Sequence, residues 1–107
     1  GFTQVESLNH WPLRHGLQDF YPITPALLAS NGEILRQLAL RGEGIVRMST
    51  FLIRDDLAAG RLVPILTEET VEASLPVYAV YYRNSQLAAR ISCFLDFMSE
   101  KLTENPL

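Results

Sequence analysis

The sequence predicts an α/β fold: a mixed sheet flanked by helices. Three observations predict it. Residues 40–66, LRGEGIVRMSTFLIRDDLAAGRLVPIL, read as helix end, strand, helix, strand, joined by very short turns, and such alternation implies a mostly parallel sheet. Gly42 and Gly60 stand at the two helix exits, where a left-handed residue closes the C-terminal cap. Leu87, Ile91, Phe94, Leu95, Met98 and Leu102 repeat at i, i+4, i+7, i+8, i+11 and i+15, the spacing of one apolar stripe on a long helix.

The elements follow in chain order. Residues 2–5 and 11–14 read as short strands around a turn at Ser7-Leu8-Asn9, and residues 20–23 as a further extended segment punctuated by Pro22 and Pro25. Residues 26–29 fit strand or helix by periodicity. Strand is preferred because Ser30-Asn31-Gly32 follows at once and a helix start comes next. Ser30 with Glu33 has the form of a capping box, and Ile34, Leu35, Leu38 and Ala39 then share one helical face before Gly42. Residues 45–48 form a buried-strand run, 51–59 a short helix and 62–66 another strand. After the acidic loop 67–72, residues 75–82, LPVYAVYY, alternate with apolar or aromatic side chains on both faces, which suits a strand covered on both sides. Residues 86–102 form the last helix, and Cys93 and Phe97 widen its stripe.

Length and composition narrow the classes. A chain of 107 residues fits one small domain or one lobe of a larger one. With 48% hydrophobic and 20% charged residues the composition is that of a soluble globular chain. The formal net charge is −3, and the eight arginines are scattered from Arg14 to Arg90, so the chain carries no electrostatic footprint for nucleic acid. The single cysteine, Cys93, excludes an internal disulfide and favours a reducing compartment. No signal peptide or spanning segment is visible, and a cytoplasmic location without membrane contact is expected.

Chemical motifs are sparse. Gly42-Glu43-Gly44 lacks the third glycine of a dinucleotide fingerprint and follows a helix rather than a strand, so it reads as a tight turn. His10 and His15 flank Trp11 without converging partners, so no metal is expected. Cys93, within the apolar stripe, reads as a buried inert thiol, and Asp55-Asp56 as an exposed polar helix face. No nucleophile elbow, P-loop or zincin motif occurs, so neither catalysis nor a cofactor is expected.

Two places suit a small molecule. One is the helix start at Ser30, Asn31 and Gly32, where free amides and the positive helix end favour an anion. The other is Ser49-Thr50-Phe51, a strand-to-helix turn. Both lie at the carboxyl ends of predicted strands, where ligands gather in open α/β sheets, and they can share one rim. Simple N-capping by Ser or Thr explains each place equally well.

Taken together these residues resemble the effector-binding domain of LysR-type bacterial transcriptional regulators. The resemblance lies in the helix 33–40, then Arg41-Gly42-Glu43-Gly44-Ile45, residues 51–57, and Gly60-Arg61-Leu62-Val63-Pro64-Ile65-Leu66. Val77-Tyr78-Ala79-Val80-Tyr81 and Arg90-Ile91-Ser92-Cys93-Phe94-Leu95-Asp96-Phe97-Met98 match the strand and final helix of that family, and Trp11-Pro12-Leu13-Arg14 is similar to a branch with Trp at this place. Nearly the whole chain is covered.

The resemblance implies one lobe of a periplasmic-binding-protein-like (type 2) two-lobed domain plus a C-terminal helix. Residues 1–80 would be lobe two, and residues 81–107 the return segment and helix belonging to lobe one. The chain would then be a fragment, with the helix-turn-helix that contacts DNA and most of lobe one outside it. The implied partner is a small-molecule effector held by Ser30, Asn31, Ser49, Thr50 and Phe51, with Thr3 near the lobe crossover. A last helix without its lobe-one partner is expected to fold back on its own sheet or to self-associate as a homodimer or higher. The alternatives are a lobe of a small-molecule enzyme and a helix-driven association module.

Overall fold

The computed structural model describes residues 1–81 and 88–107. The chain divides into two compact units, Gly1–Ala73 and Ser74–Leu107.

The first unit begins with a 3-10 turn at Glu6–Asn9, then β1 (His10–Trp11) and β2 (Tyr21–Pro22). These two pair antiparallel, His10 opposite Pro22 and Trp11 opposite Tyr21. Helix α1 spans Gly32–Leu40 and α2 spans Thr50–Ala58. Single bridges extend the pairing: Phe2 lies parallel to Ala29, and Leu13 antiparallel to Thr70. The Leu13 bridge is flanked by Arg14 N–H to the Glu69 carbonyl at 2.7 Å and Val71 N–H to the Pro12 carbonyl at 2.8 Å. Pairing of both senses therefore occurs, in an α/β unit with a small sheet.

Both helices of this unit end as the glycines require. In α1 the Gly42 N–H reaches the Ala39 carbonyl and the Glu43 N–H reaches that of Leu38; in α2 the Gly60 N–H reaches Leu57 and the Arg61 N–H reaches Asp56. These are two complete Schellman motifs, with φ at +77° for Gly42 and +74° for Gly60.

Several predicted strands are corrected. Residues 45–48, 62–66 and 75–81 run without a ladder among the described residues; Tyr82 lies outside them. Their composition suits a strand, but a strand exists only where a neighbour satisfies its backbone. Segment 62–66 closes on Leu66, whose φ of +53° is left-handed, and Thr70 then bonds back to the Leu66 carbonyl through both N–H and hydroxyl. Of residues 2–5 only Phe2 is bridged, and of 26–29 only Ala29. The predicted turn at residues 7–9 is part of the 3-10 turn, because the Leu8 N–H closes onto the Val5 carbonyl.

The second unit holds α3, Ala88–Glu104. Gln86 and Leu87, predicted to open it, lie outside the described residues. Ile91, Leu95 and Met98 are half-buried, whereas Phe94 and Phe97 are exposed. Cys93 is exposed, a correction to the expected buried thiol: it lies beyond the covered edge of the stripe. A groove of about 370 Å³ runs between residues 79–81 and Arg90, Ile91, Phe94 and Leu95. No described helix is long and apolar enough to cross a membrane.

Candidate functional site

The six predicted site residues fall on three segments of the first unit. Thr3 donates its N–H to the Ala29 carbonyl at 3.0 Å, and Ala29 donates to the Gly1 carbonyl at 3.0 Å. The chain before Thr3 is held by Asn9, whose Oδ1 accepts from Phe2 N–H at 2.8 Å and whose Nδ2 donates to the Phe2 carbonyl at 2.9 Å. One amide side chain thus acts as a strand neighbour for Phe2 and brings Thr3 alongside Ala29 and Ser30. The sequence offered Asn9 only as a turn residue.

Asn31, not Ser30, caps α1: its Oδ1 accepts from the Ile34 N–H at 3.0 Å. The expected Ser30–Glu33 capping box is therefore a correction. Oε1 of Glu33 is taken instead by Arg36 Nη1 at 2.8 Å and Gln37 Nε2 at 2.9 Å, so the carboxylate points along the helix and not back to Ser30. Gln37, first, and Arg36 hold the Glu33 carboxyl below its ordinary range against desolvation.

Ser49 precedes α2 in extended geometry and makes no side-chain capping bond. Thr50 opens the helix and Phe51 is exposed. The two helix starts meet at Gly32. A Cβ built there would lie 3.0 Å from Leu52 Cδ1 and 3.7 Å from Met48 Sδ, the residues flanking Ser49-Thr50-Phe51. The structure therefore brings Thr3, Ser30 and Asn31 together through Ala29, and sets the start of α1 against the start of α2 through Gly32.

The group that sequence reading missed is Asp56. It was expected on an exposed face, but it is 1% exposed. Arg36 Nε bonds Oδ2 at 2.6 Å, Arg36 Nη2 bonds Oδ1 at 3.1 Å, and Arg61 Nε bonds Oδ1 at 2.9 Å. The Arg36 hydrogen bond, followed by that of Arg61, holds the Asp56 carboxyl below its ordinary value, overcoming the opposite effect of burial. A signal was present: Asp56 stands three residues after Ile53 and beside Leu57, both half-buried, inside the buried stripe of α2, where a carboxylate requires cationic partners.

Elsewhere, Arg47 Nη1 donates to the Leu8 and His10 carbonyls at 3.2 and 3.4 Å, and its desolvation lowers its pKa. It ties residues 45–48 to β1. His10 and His15 are exposed, and the His15 ring meets Tyr21 edge-on at 5.1 Å. Among the described residues no three His, Cys, Asp or Glu side chains converge. The rim offers hydroxyls, an amide and an aromatic face, which suit binding.

Comparison with known proteins places the chain in a family. Residues 3–103 match the family described as LysR substrate binding domain. The chain is 45% identical over 105 residues to the HTH-type transcriptional regulator CrgA of Neisseria meningitidis serogroup B, covering 98% of this chain and 35% of that protein. It is 30% identical over 83 residues to the HTH-type transcriptional regulator DmlR of Escherichia coli K12, covering 78% of this chain and 26% of that protein. The solved CrgA regulatory domain superposes with a TM-score of 0.86 at 44% identity, over 94% of this chain and 50% of that one; a second CrgA structure gives 0.83 at 46% identity, over 94% and 34%. The chain thus spans about a third of the length of CrgA. On its sequence match and its fold alike, the chain belongs to the LysR substrate-binding domain family.

Proposed function

We propose that this chain is the ligand-sensing part of a cytoplasmic LysR-type transcriptional regulator, binding a small effector without transforming it. Residues 1–80 would form lobe two and residues 81–107 the return to lobe one. Thr3, Ser30, Asn31, Ser49, Thr50 and Phe51 would line lobe two's side of the effector cleft. The observation that carries this reading is the convergence of the two helix starts at Gly32 in a chain of this family. The effector acts by differential affinity for two inter-lobe arrangements, and a helix-turn-helix domain of the intact protein transmits the change to DNA.

Half of such a cleft binds weakly, because the contacts of the other lobe are missing. A thermal-shift screen of the intact regulator against a metabolite library identifies a stabilising compound. Calorimetry with that compound then gives a clear isotherm for the intact regulator and little heat for residues 1–107 alone. Thr50→Ala lowers affinity about fivefold, the effect of one lost hydrogen bond of about 1 kcal/mol. Tight binding by the isolated chain contradicts the reading, as does unchanged affinity in a combined Asn31→Ala, Ser49→Ala and Thr50→Ala variant.

A second reading, that α3 drives self-association, rests on a separate observation: the exposed Phe94 and Phe97 beside the apolar groove. Contiguous apolar surface of this kind marks interaction sites. It is compatible with the first reading, since a homodimer or higher assembly would use α3, which contains none of the rim residues.

A further inference from the structure

We infer that Arg36 and Asp56 are positioning residues that set the register of the two helix starts forming the effector rim. The inference deepens the proposed function, and it stands on geometry that the rim residues do not supply. Gly32 approaches Leu52, and Arg36 grips Asp56. Both contacts join residues twenty apart, so α1 and α2 advance side by side in the same sense, with a rise of about 6 Å between the two points.

Two helices running in the same sense place their positive ends together and their negative ends together, an arrangement that disfavours close approach. The N-terminal contact cannot hold it: Gly32 has no side chain, and Leu52 Cδ1 is a flexible methyl. The clasp one turn along can. It has a two-pronged donor in α1, a buried acceptor in α2, and Arg61 fastening the same carboxylate from beyond the α2 cap. Within the cluster the charges of Arg36 and Arg61 balance those of Asp56 and Glu33. A forked guanidinium fixes both distance and orientation, whereas an ammonium supplies charge alone.

Hydrogen exchange in the intact regulator tests this and requires no effector, so its failure is distinct from failure of the sensing reading. Arg36→Lys keeps the charge and loses the fork. The combined Arg36→Met and Asp56→Leu variant removes the ion pair and restores packing, a replacement that often preserves stability. In both, the bonded amides of the two helix starts, Ile34 N–H on Asn31 Oδ1 and Leu52 N–H on the Ser49 carbonyl, exchange about tenfold faster than in the wild type, while residues 36–40 keep their protection and the thermal midpoint moves little. Wild-type exchange at the rim in either folded variant overturns the inference. Uniform loss of protection across the unit, or failure of both variants to fold, also overturns it, because the pair is then a general stability element.

Discussion

Arg36 holds the Asp56 carboxylate with two hydrogen bonds, Nε to Oδ2 at 2.6 Å and Nη2 to Oδ1 at 3.1 Å, joining α1 to α2 at an acid that solvent barely reaches. The Glu33–Arg36 bridge on the same guanidinium is the contrast, since its carboxylate is largely exposed. Removing one member of a buried pair strands the other in low dielectric, whereas exposed pairs contribute little. Asp56→Ala is therefore expected to lower the urea midpoint clearly more than Glu33→Ala. Equal shifts in parallel urea titrations would refute that ranking.

The same carboxylate sets an acid limit. Arg36 and then Arg61 depress the folded-state pKa of Asp56 below its ordinary 3.8. A depressed folded value means that the contribution is fully present above the unfolded value and is lost as pH falls through the folded one. Stability is expected to change little from neutral pH down to about 5 and to fall below about 4. Asp56→Asn, which cannot titrate, has a lower plateau and a shallower acid decline. Urea midpoints at a series of pH values from neutral into acid measure both slopes; parallel slopes would exclude Asp56 as the titrating group.

Replacing Asn31, the residue that caps α1, separates the observed cap from the one the sequence suggested. Asn31→Ala is expected to cost about 1 kcal/mol. Ser30→Ala, at a residue without a capping bond to α1, stays within about 0.5 kcal/mol. A larger loss for Ser30→Ala in chemical denaturation would restore the capping-box assignment.

What was legible in the sequence was local. Gly42 and Gly60 announced the helix exits because the left-handed cap is a property of one residue, and the spacing of Ile91, Leu95 and Met98 announced α3. Asn31 and Ser30 were harder to separate, since both are good caps and the chain decides between them by where the extended segment ends. Residues 45–48 and 75–81 have the composition of strands, but pairing depends on a neighbour that composition does not name. Asp56 was misread because adjacent helix residues diverge: that rule separated it from Asp55 without saying which of the two faced inward. Of the rim, the two helix starts were visible as N-caps. Their meeting at Gly32, and the Asn9 clamp that delivers Thr3, are non-local and required the fold.

The left-handed glycines give a further test. Nothing lies within 4 Å of a Cβ built on Gly42 or Gly60, so alanine meets no clash there and only the backbone is strained. Each substitution is expected to cost about 1 kcal/mol, from the left-handed penalty of a residue with Cβ. The effects should add in the double variant, because each cap is formed by its own helix. A neutral result at either site would mean that the cap has refolded into another geometry, which loss of the two Schellman bonds by amide exchange would reveal.

Phe94 is 60% exposed and Phe97 is 54% exposed, on the flank of α3 next to Ile91 and Leu95. Lys101 lies over the Phe97 ring at 5.6 Å and covers part of it, so Phe94 is the more available apolar group. Because Phe94 is not buried, Phe94→Asp removes little intramolecular packing, and far-UV circular dichroism should keep its helical signal. If the α3 face self-associates, burying each phenylalanine against a second copy contributes up to about 2 kcal/mol, and a charge at its centre opposes that burial. Sedimentation is then expected to show the wild-type chain above monomer mass and Phe94→Asp at monomer mass. A monomeric wild type at tens of micromolar would remove the association reading and leave the sensing reading untouched, since no rim residue lies in α3.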